Sequence, residues 1–213
     1  MPRVLMFLPA YEDATYLASK ALMRTVDTAR RYGWDVEVEY GELATRDNLI
    51  DALPNVDLLI GEGHGDYDKF GGQWGEIVLE VCSTNFNGQA VFLLSCKTGR
   101  DLGPDTVSKG ARVFVGFNDD FVFMATEGAA DPITDPVARY FFIPVVEFVN
   151  SILSGSTFNE AFNTMKELFN RLIDELLRSG YDWAPAAAAM LNHNMESAVS
   201  YGNRNLSFAV APV

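Results

Sequence analysis

The chain reads as a single α/β domain over residues 1–213: three layers, with a mostly parallel central sheet and helices on both faces. Three observations predict this. Apolar runs at Arg3–Pro9, Val56–Ile60, Ala90–Leu94 and Ala111–Phe117 have the make-up of strands buried on both faces. Segments with apolar residues at helical spacing alternate with strands through the first half, as parallel crossovers require. A chain of 213 residues can bury roughly 70% of its unfolded surface in one core, and no repeat, linker or low-complexity tract divides it.

Each element has its own signal. Arg3–Pro9 (RVLMFLP) opens the chain as a strand. From Asp13 to Tyr32, Tyr16, Leu17, Ala21, Leu22, Val26 and Ala29 recur at helical spacing before a Gly33 stop, which predicts the first crossover helix. Asp35–Tyr40 (DVEVEY) alternates acidic and apolar side chains, the pattern of a strand near the sheet edge with one wet face. Gly41 ends it, and a short helix over Arg46–Leu53 stops at Pro54. Val56–Ile60 is the third strand and runs into GEGHGDYDKFGGQWGE, a loop rich in Gly and acid. Glu76–Ser83 alternates and, with Asn87-Gly88 beside it, reads as a hairpin arm or edge strand. Ala90–Leu94 is the fourth core strand. After a turn or short helix over Asp105–Lys109 comes the fifth, Ala111–Phe117, followed by a long loop. Asp135-Pro136 starts a helix to about Leu153 with a kink expected at Pro144. Gly155 closes it, and Ser156 or Thr157 caps a helix running to Ser179. A third helix covers about Ala184–Val199, and Leu206–Val210 (LSFAV) is expected to add a last strand.

Composition excludes several classes. With 29 acidic and 16 basic residues the net charge is −13, which argues against nucleic-acid binding through phosphate contacts. A hydrophobic content of 48%, with 15 Phe and 8 Tyr, argues against disorder. Cys82 and Cys96 are too few for a disulfide framework and match no zinc spacing, so both are expected as reduced thiols. The apolar run at the N-terminus is short and ends in Pro9 and acidic residues, unlike a signal peptide or a span. A cytoplasmic protein with no membrane partner and no cofactor is expected. No GxGxxG or phosphate loop follows the first strand, and GxSxG is absent.

In doubly wound sheets the ligand crevice lies beyond the carboxyl ends of the strands. The positions after Ile60, Leu94 and Phe117 carry His64, Cys96 and the pair Asp119 and Asp120. A lone strand-end cysteine is usually a small core residue, and a lone histidine in a Gly-rich loop usually belongs to a turn. Their delivery by core strands to one sheet edge is what points to chemistry. A thiolate attacks, and a neighbouring imidazole takes its proton and returns it to a leaving amine. The amides of Gly65 and Cys96 are candidate oxyanion donors. Asp119 and Asp120 are weighed as an acidic pocket for a substrate Lys or Arg against a solvated turn. The acids Glu62, Asp66 and Asp68 lack an EF-hand spacing, and no metal site is assigned. His193, in a helix distant in sequence, and Cys82 are read as structural.

The apolar strand followed by His64-Gly65, then the apolar strand followed by Ser95-Cys96, resembles the shared signature of clan CD cysteine peptidases: caspases, legumains, clostripains, gingipains and separases, with the CHAT domains. LLSCKTG (Leu93 to Gly99) is most similar to the CHAT version. The likeness extends through GARVFVGFNDD and FVNSILSGSTFNEAF, so that Val56 to Phe162 is covered. It implies a caspase-like fold and an intracellular endopeptidase acting on a polypeptide substrate through a thioester. In that scheme Cys96 is the nucleophile, His64 the general acid or base and Gly65 an oxyanion donor. The caspase form of the cysteine block is absent, and Leu94 stands where legumain and clostripain relatives have an acid. CHAT relatives are often fused to helical sensors. This sequence shows none, so either a separate regulatory protein partner controls the activity or it is unregulated. The rival from another class is a noncatalytic CHAT-like or flavodoxin-like module that binds a partner through the same crevice.

Overall fold

The computed structural model describes all 213 residues, Met1 to Val213. In chain order the strands are β1 (Arg3–Leu8), β2 (Asp35–Tyr40), β3 (Leu58–Glu62), β4 (Gly65–Asp66), β5 (Lys69–Gly71), β6 (Ile77–Glu80), β7 (Ala90–Leu94), β8 (Val113–Phe117) and β9 (Ala198–Gly202). The helices are α1 (Asp13–Met23), α2 (Val26–Arg31), α3 (Arg46–Ala52), α4 (Leu102–Ser108), α5 (Arg139–Leu153), α6 (Phe158–Ser179) and α7 (Ala184–Ser197). Six strands form the central sheet in the order β2-β1-β3-β7-β8-β9; β9 alone runs antiparallel to its neighbour. The sheet is mostly parallel and helices cover it, the α/β class that the apolar runs predict.

Because side chains alternate along a strand, each central strand supplies two cores. Val4, Met6 and Leu8 of β1 join a cluster of 41 buried residues shared with α1, α2, α5, α6 and α7. Leu5 and Phe7 join a smaller cluster of 17, built with α3, α4 and the strands β5 and β6. That two-sided burial is why β1 is an unbroken apolar run. It also means that α1, whose N-terminus reaches the sheet edge after β1, is backed by the larger core.

Several boundaries differ from the expectation. The helix expected over Asp13–Tyr32 divides at Arg24–Thr25, where the buried Thr25 Oγ1 donates to the Leu22 carbonyl at 2.7 Å and competes with the helical ladder. The helix expected from Asp135 begins at Arg139, because the Asp135 carboxylate accepts the Val137 and Ala138 amides and holds a preceding turn. It continues through Pro144 to Leu153. Thr157 is the N-cap of α6, in a capping box with Glu160, and Gly180 ends the helix in the left-handed region.

The loop rich in Gly and acid contains β4 and β5, which pair with β6 in a separate antiparallel sheet, so Asn87-Gly88 does not join paired strands. The last strand is β9, not Leu206–Val210. That segment crosses the helices instead, where Phe208 packs edge-on against Trp34 and Phe158. No helix is long and apolar enough to cross a membrane.

Candidate active site

The site follows from register. In the parallel pair β3 and β7, Glu62 stands opposite Leu94, and His64 and Cys96 each lie two residues beyond. The two chains therefore leave the sheet side by side at its carboxyl edge. His64 and Cys96 both line one cleft of about 90 Å³, walled by Ala14, Thr15 and Ala18 of α1 and by Phe121 and Phe123 of the loop after β8. Between Glu62 and His64 stands Gly63 at φ +154, where an added Cβ would sit 2.2 Å from the Gly71 carbonyl. The His64 carbonyl in turn accepts the Gly71 amide at 2.8 Å, which joins this turn to the small sheet.

On the other strand the chain turns sharply after Cys96, because Lys97 adopts φ +60. A non-glycine residue there carries a strain of about 1–2 kcal/mol, so its neighbours must hold it. The Lys97 amide donates to the Asp119 carbonyl at 3.1 Å, and its Nζ lies 3.1 Å from Asp120 Oδ1. Gly65 packs against this turn: an added Cβ would lie 2.2 Å from Ser95 Oγ and 2.5 Å from the Cys96 carbonyl oxygen. Gly63, and not Gly65, is among the residues lining the cleft.

Burial pushes the Cys96 thiol above its usual range. The Phe121 backbone opposes that shift; the Asp120 carboxylate adds to it and the Lys97 ammonium opposes it. The net direction is upward, so the resting sulfur is a protonated thiol at neutral pH. His64 is not hydrogen-bonded to it. Its Nε2 lies 2.5 Å from Glu12 Oε1, at a rim where both side chains are about half exposed. Glu12 is the N-cap of α1, and a capping box with Thr15, whose Oγ1 accepts the Glu12 amide at 3.3 Å, fixes the residue that meets the imidazole. With Nε2–H given to Glu12, Nδ1 is the nitrogen left to act as a base.

Glu62 is the second acid of the cleft, at a position that reads as loop in the sequence. It is 4% exposed and ends β3. Ser19 Oγ lies 2.7 Å from the Pro9 carbonyl oxygen and 2.8 Å from Glu62 Oε2. A carbonyl only accepts, so the single Ser19 hydrogen goes to Pro9 and Ser19 receives its second bond from a protonated Glu62. Burial pushes this carboxyl well above the usual range, and the charge of Glu12 reinforces the shift.

Asp119 and Asp120 are neither desolvated nor unpaired, so the argument for an acidic pocket there fails. Their side chains are 45% and 49% exposed, Arg100 pairs with Asp119 at 3.9 Å, Lys97 takes Asp120, and neither lines the cleft. His193 is nearer the site than its place in the sequence suggests, since its Nε2 bonds the Asp120 carbonyl at 2.9 Å. Beside it the fully buried Asn194 clamps Val122, accepting its amide at 2.9 Å and donating to its carbonyl at 2.7 Å. These two residues of α7 hold the segment that carries Phe121 and Phe123 into the wall of the cleft. Cys82 is exposed in a turn after β6, with its amide bonded to Asp105. No group of three or more His, Cys, Asp or Glu converges as a metal site would require.

Glu12 could have been found by applying the strand-end rule to β1 as well as to the later strands. No family model matches the chain, and no curated protein matches it in sequence.

Proposed function

We propose that the protein is a cysteine endopeptidase in which Cys96 attacks a substrate carbonyl and His64 moves the proton. The reading is carried by one observation: an imidazole and a thiol that follow adjacent parallel strands, those of His64 and Cys96, line the same cleft. The resemblance to clan CD peptidases supports it. Substrate binding brings the imidazole to the thiol, Nδ1 takes the sulfur proton, and the thiolate adds to the carbonyl carbon. The imidazolium then protonates the leaving amine as the C–N bond breaks. Water, deprotonated by the same imidazole, releases the acid from the thioester. Gly65 and Cys96 amides are assigned to the oxyanion and Glu12 to orienting His64.

The second reading, a noncatalytic module that binds a partner through this crevice, draws on the upward shift of the Cys96 thiol. The readings separate in one experiment. Wild-type protein is incubated with a peptide library and with a peptide bearing an alkylating group. Cleavage, together with covalent labelling that maps to Cys96, is expected, and both should vanish in Cys96→Ala and fall steeply in His64→Ala. A Cys96→Ala preparation that cleaves at the original rate, or wild-type protein that neither cleaves nor is labelled, would rule out the peptidase.

A further inference from the structure

We propose that Trp74, with Glu42 beside it, forms a second contact site on the substrate polypeptide, one that takes an Arg or Lys side chain about three residues from the bond cut at Cys96. The inference rests on the peptidase reading for the identity of the polypeptide, but not for the chemistry of the contact.

Trp74 is held where folding buries little of it. It is 68% exposed, and its backbone lies at φ 58, ψ 19, a region that a bulky residue seldom occupies. Both features cost stability, and the turn that imposes them is firmly built. An added Cβ on Gly72 would lie 2.5 Å from the Ala44 carbonyl oxygen, the amide of the buried Gln73 donates to that same oxygen at 2.8 Å, and Gln73 Oε1 accepts the Ala10 amide at 2.9 Å. A strained, exposed indole on a fixed turn is an outlier that points to binding.

Its neighbours place it at the site. The indole ring packs on Tyr11 with centroids 5.5 Å apart, and Tyr11 stands edge-on to His64 at 6.1 Å. Trp74 is thus at most about 12 Å from the imidazole, which an extended peptide at roughly 3.3–3.6 Å per residue covers in three or four residues.

Its chemistry selects a cation. The indole Nε1–H donates to Glu42 Oε2 at 3.3 Å, which stations an exposed carboxylate beside the aromatic ring, and Glu42 has no basic side chain paired with it. Trp offers the best aromatic face to a cation, and a guanidinium can stack on that face while reaching a carboxylate. The net charge of −13 favours the same partner at longer range.

The test uses the full chain with Cys96→Ala, so that binding is read without turnover. Dye-labelled alanine-based heptapeptides carry one Arg walked through the positions, each with a citrulline twin of the same shape and no charge and a leucine twin, and fluorescence anisotropy gives their affinities. At one register the Arg peptide is expected to bind about three- to tenfold more tightly than its citrulline twin. Trp74→Ala and Glu42→Gln should each bring that ratio towards one, and Trp74→Phe should keep part of it. Thermal unfolding of each variant checks that it is folded; Trp74→Ala removes strain and an exposed ring, so it should unfold no earlier than the parent. Equal binding of Arg and citrulline twins, a leucine twin that binds as well as Arg, no binding at any register, or a ratio unmoved in folded Trp74→Ala protein would each overturn the proposal. Should the wild-type protein cut none of these peptides while the Arg preference persists and depends on Trp74, the peptidase reading falls and the contact site stands.

Discussion

Gly65→Ala probes how tightly the nucleophile turn is fixed. The new methyl would arrive 2.2 Å from Ser95 Oγ, 2.5 Å from the Cys96 carbonyl oxygen and 2.6 Å from Thr98 Cγ2. Comfortable contact between non-bonded atoms lies at roughly 3.5–4.0 Å, so each gap must open by about an ångström. The Ser95 hydroxyl has no hydrogen-bond partner and can rotate away. The Cys96 carbonyl cannot move without moving Cys96. Overpacking of this kind costs about 1–3 kcal/mol, and an ångström of displacement at a reacting atom costs roughly a hundredfold in rate. Gly71→Ala is the control, because its backbone is not in the left-handed region and its nearest neighbour would be 3.4 Å away. Urea unfolding reads the stability, and iodoacetamide alkylation reads Cys96 in a Cys82→Ser background, which removes the exposed thiol. Gly65→Ala should lose about 1–3 kcal/mol and alter the alkylation rate, whereas Gly71→Ala should stay within about 0.5 kcal/mol of the parent. Equal stability of the two variants with Cys96 reacting as in the parent would refute the packing argument.

Three further outcomes are expected. Glu12→Gln keeps an oxygen near His64 but removes the charge, and peptide hydrolysis should fall by about tenfold to a hundredfold; an unchanged rate would remove Glu12 from the machinery. Glu62 has a folded pKa raised above its unfolded value of about 4.5, so its protonated form is favoured by folding, and wild-type stability should decline as pH rises from that value towards the folded one. Glu62→Gln, which can still donate to Ser19, should lack this decline, and denaturant melts across that range that superimpose for the two proteins would contradict a neutral buried Glu62. After burial and the opposing Phe121 backbone, Asp120 is a further influence on the Cys96 thiol and raises it. Asp120→Asn should therefore speed alkylation of Cys96 at pH 7.5, and slower alkylation would show that its pairing with Lys97 outweighs its charge.

The strand cores were legible because their signal is local. Four apolar runs became β1, β3, β7 and β8, and the alternating acids of DVEVEY marked β2 as an edge. His64 and Cys96 could be placed at one edge because they trail two of those runs. What escaped was set by tertiary pairing. Glu62 looked like part of a loop because the run VDLLI seemed to end at Ile60, whereas pairing with β7 extends the strand to Glu62 and buries its carboxyl. The bond between Glu12 and His64 spans 52 positions and exists only because β1 and β3 lie side by side. The choice between pocket and solvated turn for the acids after β8 was not legible for a related reason, since Lys97 and Arg100 fold back over them from a turn that no spacing rule describes. LSFAV has the composition of a strand, but the antiparallel place beside β8 had already been taken by β9.

The open edge of the sheet also bears on how copies of the chain meet. β2 is bonded to β1 alone, and its far side offers unpaired amides and carbonyls. Asp35, Glu37 and Glu39 line the same face of that strand, so a second copy docking edge to edge would set one row of carboxylates beside another. Arg3 relieves part of this charge within the chain, at Asp35 and Glu37, but leaves Glu39 untouched. The barrier to sheet extension is therefore repulsion between like charges, and it weakens as ionic strength rises. Added salt screens the row while the hydrogen-bonding edge remains, so association of copies at high ionic strength becomes a property of this one strand as well as of the net charge.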